Sequence, residues 1–157
     1  MEKDIVLSFD GMKVKADLCY DPVQDKILGP HNSVQVVMVR GLIGKWKQPI
    51  YYEFDNPIDR DLFLNVVKTV DLMGFRMRAF VNDMGSSNEK LLSDLGIEPG
   101  CLSLRNPFCE KRNIWAFCDA PHTLKLLRNY LLDKGFEFPD GKTVEKKTFE
   151  KQKNSDL

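Results

Sequence analysis

Hydrophobic and polar positions divide this chain into a strand-like first third and a helix-alternating remainder. Asp4 to Phe9 is a short run rich in Ile, Val, Leu and Phe, the composition of a buried strand. Asp10-Gly11 follows as a turn signal. From Met12 to Tyr20 the pattern alternates, with Met12, Val14, Ala16 and Leu18 set against Lys13, Lys15 and Asp17. A period of two with one polar face predicts a half-buried antiparallel strand. Asp21-Pro22 turns the chain, and Lys26 to Leu28 extends the pairing. Val34 to Leu42 predicts a third strand, apolar on both faces at its centre and interrupted at Gly41 and Gly44. Pro49 to Phe54 reads as a further strand or as the second arm of a bent one.

The period then changes. Asn56 as cap and Pro57 at the first helical position predict a helix start, with Asp59 and Asp61 in the turn where the dipole favours negative charge. Ile58, Leu62, Val66, Val70 and Met73 mark one apolar stripe, and Gly74 ends the helix. Phe75 to Val81 predicts a strand, Ser87 to Leu95 a short helix closed by Gly96, and Ile114 to Cys118 another strand. Asp119-Ala120-Pro121 opens a helix through Lys134, closed by Gly135. Turn-linked early strands suit antiparallel pairing, and helix-linked later strands suit parallel pairing. The expected fold class is α/β with a mixed α+β sheet. It is RNase H-like: three antiparallel strands, then parallel strands with helices on the faces, and incomplete. A Rossmann or flavodoxin-like sheet would need helices between the early strands. The expected organisation is one partial domain over residues 1–138 and a polar tail over 139–157, expected to be disordered.

Composition narrows the class further. The 157 residues suffice for one ordinary domain. The longest apolar stretches are too short to span a bilayer, and Met1-Glu2-Lys3-Asp4 lacks the features of a signal peptide, so an intracellular protein without a membrane partner is expected. Cys19, Cys101, Cys109 and Cys118 form no C-x-x-C pair and are expected to be small buried hydrophobes. The formal net charge is zero, so this piece alone should bind DNA weakly.

The candidate chemistry lies in carboxylates after strands. Asp10 follows the first strand, Asp83 follows Phe75 to Val81 by one residue, and Asp119 follows Ile114 to Cys118. In an RNase H-like topology the first strand lies beside the strand carrying Asp83, so Asp10 and Asp83 are candidate catalytic and metal-binding residues. Two close carboxylates repel, and a hard divalent cation such as Mg²⁺ or Mn²⁺ relieves the repulsion. Such ions activate a water or a 3′-hydroxyl against a phosphodiester. Aspartate also starts turns and caps helices, so the pattern alone leaves both readings open. His122, three residues after Asp119, could hydrogen-bond with it and brace the rim, or the pair could be a helix cap plus a partly buried histidine. His31 is expected in a loop with no chemistry. Glu145 and Glu150 lie in the polar tail and are not candidates.

Several segments resemble the P-element transposases and their THAP-domain relatives. They are Phe9-Asp10-Gly11-Met12-Lys13-Val14, Gly29-Pro30-His31-Asn32, Val36 to Leu42, Trp46 to Tyr51, Asn82-Asp83-Met84-Gly85-Ser86-Ser87-Asn88, and Asp119 to Asn129. The resemblance runs to about Phe138. It implies a DNA transposase that cleaves and joins DNA with Mg²⁺ or Mn²⁺ on three acids, acting on transposon ends in the nucleus. By position, Asp10 matches the first acid and Asp83 the second. Asp119 and His122 match a supporting D-x-x-H motif. The resemblance also implies a zinc-coordinating THAP domain, a dimerising region and a GTP-binding insertion, with the third acid, a glutamate, beyond that insertion. None of these is expected within this chain, and no P-loop pattern occurs. The expected character is a fragment of a transposase, inactive alone. The alternatives are a domesticated, non-enzymatic module for protein or DNA contact, and an unrelated ligand-binding α/β domain. Apolar surface left for later helices should make the piece marginally stable or prone to self-association.

Overall fold

The structure is a computed structural model, and it describes residues 3–147. The chain divides into two compact units, Met1–Cys118 and Asp119–Leu157.

In the first unit, β1 (Asp4–Lys13) is the centre of a six-stranded sheet. The others are β4 (Ser33–Gly41), β5 (Lys47–Phe54), β6 (Arg76–Asn82), β7 (Ser103–Arg105) and β8 (Asn113–Cys118). The spatial order is β5-β4-β1-β6-β8-β7. β1, β4 and β5 pair antiparallel, β1, β6 and β8 pair parallel, and β7 closes the far edge antiparallel to β8. The mixed RNase H-like sheet expected from the element order is therefore present.

Along β1, Ile5, Leu7 and Phe9 are buried, as are Val37 and Val39 of β4 and Ile114 and Ala116 of β8. These residues define one face of the sheet by strand alternation. Against it pack α1 (Arg60–Leu72), through Phe63, Val67 and Val70, and α2 (Ser86–Asp94), through Leu91. Phe63 meets Phe80 edge-on at 4.8 Å between ring centroids, and Phe9 stacks on Phe80 at 6.0 Å. Fully burying each such ring contributes about 1.5–3 kcal/mol. The opposite face is open: Tyr52, Trp115 and Phe117 are 66%, 50% and 55% exposed.

Several expectations need correction. Asp10-Gly11 does not turn the chain, because β1 runs through it to Lys13, paired with β4 as far as Ser33. The alternation after Met12 does not give a strand to Tyr20. Instead β2 (Cys19–Asp21) and β3 (Lys26–Leu28) form a separate hairpin. The cap of α1 is Asp59, whose carboxylate accepts from Leu62 N at 2.8 Å, while the Asn56 side chain donates to Glu53. Ile58 and Phe63 then occupy the positions of a hydrophobic staple, both buried, and the buried stripe is Phe63, Val67 and Val70. Met73 is exposed. Finally, the cysteines are not buried: Cys19, Cys101 and Cys118 are exposed and Cys109 is half-buried.

The second unit contains α3 (Ala120–Asp133), β9 (Phe136–Glu137) and β10 (Thr143–Val144). Where a disordered tail was expected from residue 139, β10 pairs with β9 across a tight turn. Gly135 ends α3 at φ +77°, and a Cβ there would lie 2.9 Å from Val144 O, so glycine is required on both counts. Residues 148–157, with Glu150, lie outside the described residues. No described helix is long and apolar enough to cross a membrane.

Candidate metal centre

β1 and β6 run side by side in parallel, and their register reaches Ser8 opposite Val81. Two residues further along each chain stand Asp10 and Asp83. Both acids therefore lie toward the same end of this strand pair. Asp10 follows buried Phe9, so it belongs to the open face and is exposed. It lies inside β1, opposite Val36, and not after the strand as the sequence suggested. Asp83 is the first residue beyond β6 and is half-buried.

The two acids are held differently. Asp83 Oδ1 accepts a hydrogen bond from Gly85 N at 3.0 Å and another from Asn88 Nδ2 at 2.5 Å. Gly85 is close because it has no side chain: a Cβ there would lie 3.1 Å from the same oxygen. Asn88 is 7% exposed, in the first turn of α2. Among the described residues no hydrogen bond or ion pair reaches Asp83 Oδ2, nor the Asp10 carboxylate. Two oxygen-only ligands with free lone pairs suit a hard divalent cation. Among the described residues there is no cluster of three or more side chains that could hold a metal ion.

The other end of the same strands is neutralised by protein. Asp4, which starts β1, receives Arg76 at 2.6 Å and Arg78 at 2.5 Å, both from β6. The Arg78 hydrogen bond, opposed by partial burial and reinforced by Arg76, holds the Asp4 carboxyl below its ordinary value.

Asp119 and His122 belong to the second unit. Asp119 caps α3 by backbone position, but its side chain makes no cap bond, and its carbonyl accepts from Thr123 N and Oγ1. His122 lies in the first turn of α3. His31 is in a loop, as expected, but it is engaged there. Its Nδ1 lies 2.9 Å from Asp55 Oδ2, and its ring stacks on Phe54 at 4.2 Å. Asp55 also accepts from Asn32 N and Ser33 N, and the His31 contact with these backbone bonds lowers its pKa. A shallow groove lined by Val34, Val36, Pro49, Ile50, Tyr51 and Tyr52 lies over β4 and β5 and contains none of the candidate acids. The sequence reading assigned no role to Gly85 or Asn88, although both lie in the Asn82-to-Asn88 segment it singled out.

Sheet order and strand directions define an RNase H-like domain. The profile described as TNP-like, RNase H N-terminal domain matches residues 1–96. The chain belongs to that family. It is 37% identical over 149 residues to the Transposable element P transposase of Drosophila melanogaster, a match covering 95% of this chain and 20% of the relative. It also matches a chain of a solved Drosophila P element transposase strand transfer complex with a TM-score of 0.90 and 37% identity. That match covers 96% of this chain and 34% of the solved one. The chain thus spans about a fifth of the curated relative and a third of the solved chain.

Proposed function

We propose that this chain is the portion of a P-element-type DNA transposase that carries two of the metal-binding acids, Asp10 and Asp83. The parent reaction is metal-dependent DNA cleavage and strand transfer at transposon ends, in the nucleus. The observation that carries this reading is charge balance. Asp4 has two arginine partners, whereas Asp10 and Asp83 have no basic partner among the described residues. A bound Mg²⁺ or Mn²⁺ supplies the missing positive charge and the Lewis acidity for attack by water or a 3′-hydroxyl. The protein's part is to hold one carboxylate on a central strand and the other on the loop beside it. Asp119 and His122 are proposed as the supporting motif. No residue of this chain is assigned to GTP.

With two acids and no third ligand among the described residues, the chain alone is expected to bind the ion weakly and to cleave no DNA. Thermal melting with increasing Mn²⁺ tests the site. The melting temperature should rise, and the rise should vanish in Asp10→Asn and in Asp83→Asn. An equal rise in both variants would place the ion elsewhere.

A non-enzymatic interaction module is the second reading, favoured by the open apolar face that carries Tyr52, Trp115 and Phe117. It predicts a melt insensitive to Mn²⁺ and to both substitutions.

A further inference from the structure

We infer that Asn88 is the positioning residue of the candidate centre: it fixes Asp83 so that one oxygen is occupied by protein and the other is left for the cation. The inference rests on the two-carboxylate reading above. A carboxylate oxygen offers two lone-pair sites. On Asp83 Oδ1 both are used, by Gly85 N at 3.0 Å and Asn88 Nδ2 at 2.5 Å. The carboxylate plane is thereby pinned, and a cation meets Oδ2 as a single-oxygen ligand.

The chemistry of the donor matters as much as its position. A backbone amide and a side-chain amide donate hydrogen bonds without carrying net charge. They orient the carboxylate and leave its negative charge uncompensated. Asp4 shows the contrary arrangement within the same molecule, where arginine donors both orient and neutralise. A lysine or arginine in place of Asn88 would compete with the ion. The fold holds the amide in place: Asn88 N donates to Gly85 O at 2.9 Å in the first turn of α2, and the side chain is 7% exposed. Buried amides of this kind act on a metal through its ligand, and losing one typically weakens metal affinity about 10–100-fold.

The test uses the full chain with Mn²⁺ alone as probe, free ion being followed by electron paramagnetic resonance. Asn88→Leu removes the donor and keeps the volume. It should weaken Mn²⁺ binding about tenfold or more while the metal-free melt stays near that of the parent protein. Asn88→Ala is a second donor-free variant of smaller volume and should lose affinity to a similar extent, whereas Asn88→Gln keeps an amide donor and should recover part of it. Parental affinity in folded Asn88→Leu or Asn88→Ala overturns the inference. So does an Asn88→Gln variant that folds but binds no better than the donor-free ones. An absence of binding in the parent protein sinks the two-carboxylate reading itself. Binding that is lost in Asp83→Asn yet unchanged in Asn88→Leu sinks only the positioning role.

Discussion

The two ends of the β1–β6 strand pair carry the same side-chain chemistry in opposite states. At the starting end, the Asp4 carboxylate is gripped by Arg76 and Arg78. At the finishing end lie Asp10 and Asp83, with amide donors on one of the four oxygens and no cation from the protein among the described residues. A protein that could place arginines at one end of this pair has left the other end negative. Like charges held near one another are unfavourable unless something else neutralises them. The difference is that the starting end is neutralised within the protein, and the proposed cation site rests on the finishing end not being so.

The largest expected effect removes what both ends share. Phe63 is buried and contacts Phe80 and Phe9 under the centre of the sheet. Phe63→Ala should cost about 3–5 kcal/mol in urea unfolding, with no selective effect on either end. Next comes the contrast in sign. Asp4→Asn should lower stability in metal-free buffer by leaving two arginines without their partner, whereas Asp10→Asn should raise it or leave it unchanged by relieving repulsion. Destabilisation by both in metal-free buffer would erase the contrast.

Acid should read the starting end specifically. The folded-state pKa of Asp4 is depressed, first by the Arg78 hydrogen bond. Its contribution is therefore present above the unfolded value of about 3.9 and lost as pH falls through the lower folded value. Asp55, lowered by His31 and by two backbone amides, behaves in the same way. Chemical denaturation at successively lower pH should show a steeper acid loss for the parent than for Asp4→Asn or Asp55→Asn. Gly85→Ala should have the smallest effect. Its φ of −69° suits any residue, so only the 3.1 Å approach to Asp83 Oδ1 is disturbed. Stability should change by under about 1 kcal/mol, with a modest loss of Mn²⁺ affinity measured in the same titrations.

Much of this was legible in the sequence. The order of strands and helices, the glycine stops at Gly74, Gly96 and Gly135, and the strand-end position of Asp83 all follow from local pattern. What was missed depends on pairing. Asp10-Gly11 is a good local turn signal, yet the antiparallel partnership with Val36 and Gln35 of β4 carries β1 straight through it. The three-residue β7 has too few positions for a period and exists because β8 offers it an edge. Asp59 replaced Asn56 as cap because Ile58 and Phe63 had a core to staple into, which no local signal reports. Asp83 could be picked out from its strand, but the grip of Gly85 and Asn88 on one of its oxygens needs coordinates. The arginine partners of Asp4 lie more than 70 residues away in the chain and become visible only once β1 and β6 pair.

Anomalous diffraction from crystals of the chain soaked in Mn²⁺ would locate the ion itself. The account predicts a peak at oxygen-ligand distance, about 2.0–2.6 Å, from one Asp10 oxygen and from Asp83 Oδ2, with Asn88 still on Oδ1. A peak bound to other side chains, or one that touches only a single member of the pair, would contradict it.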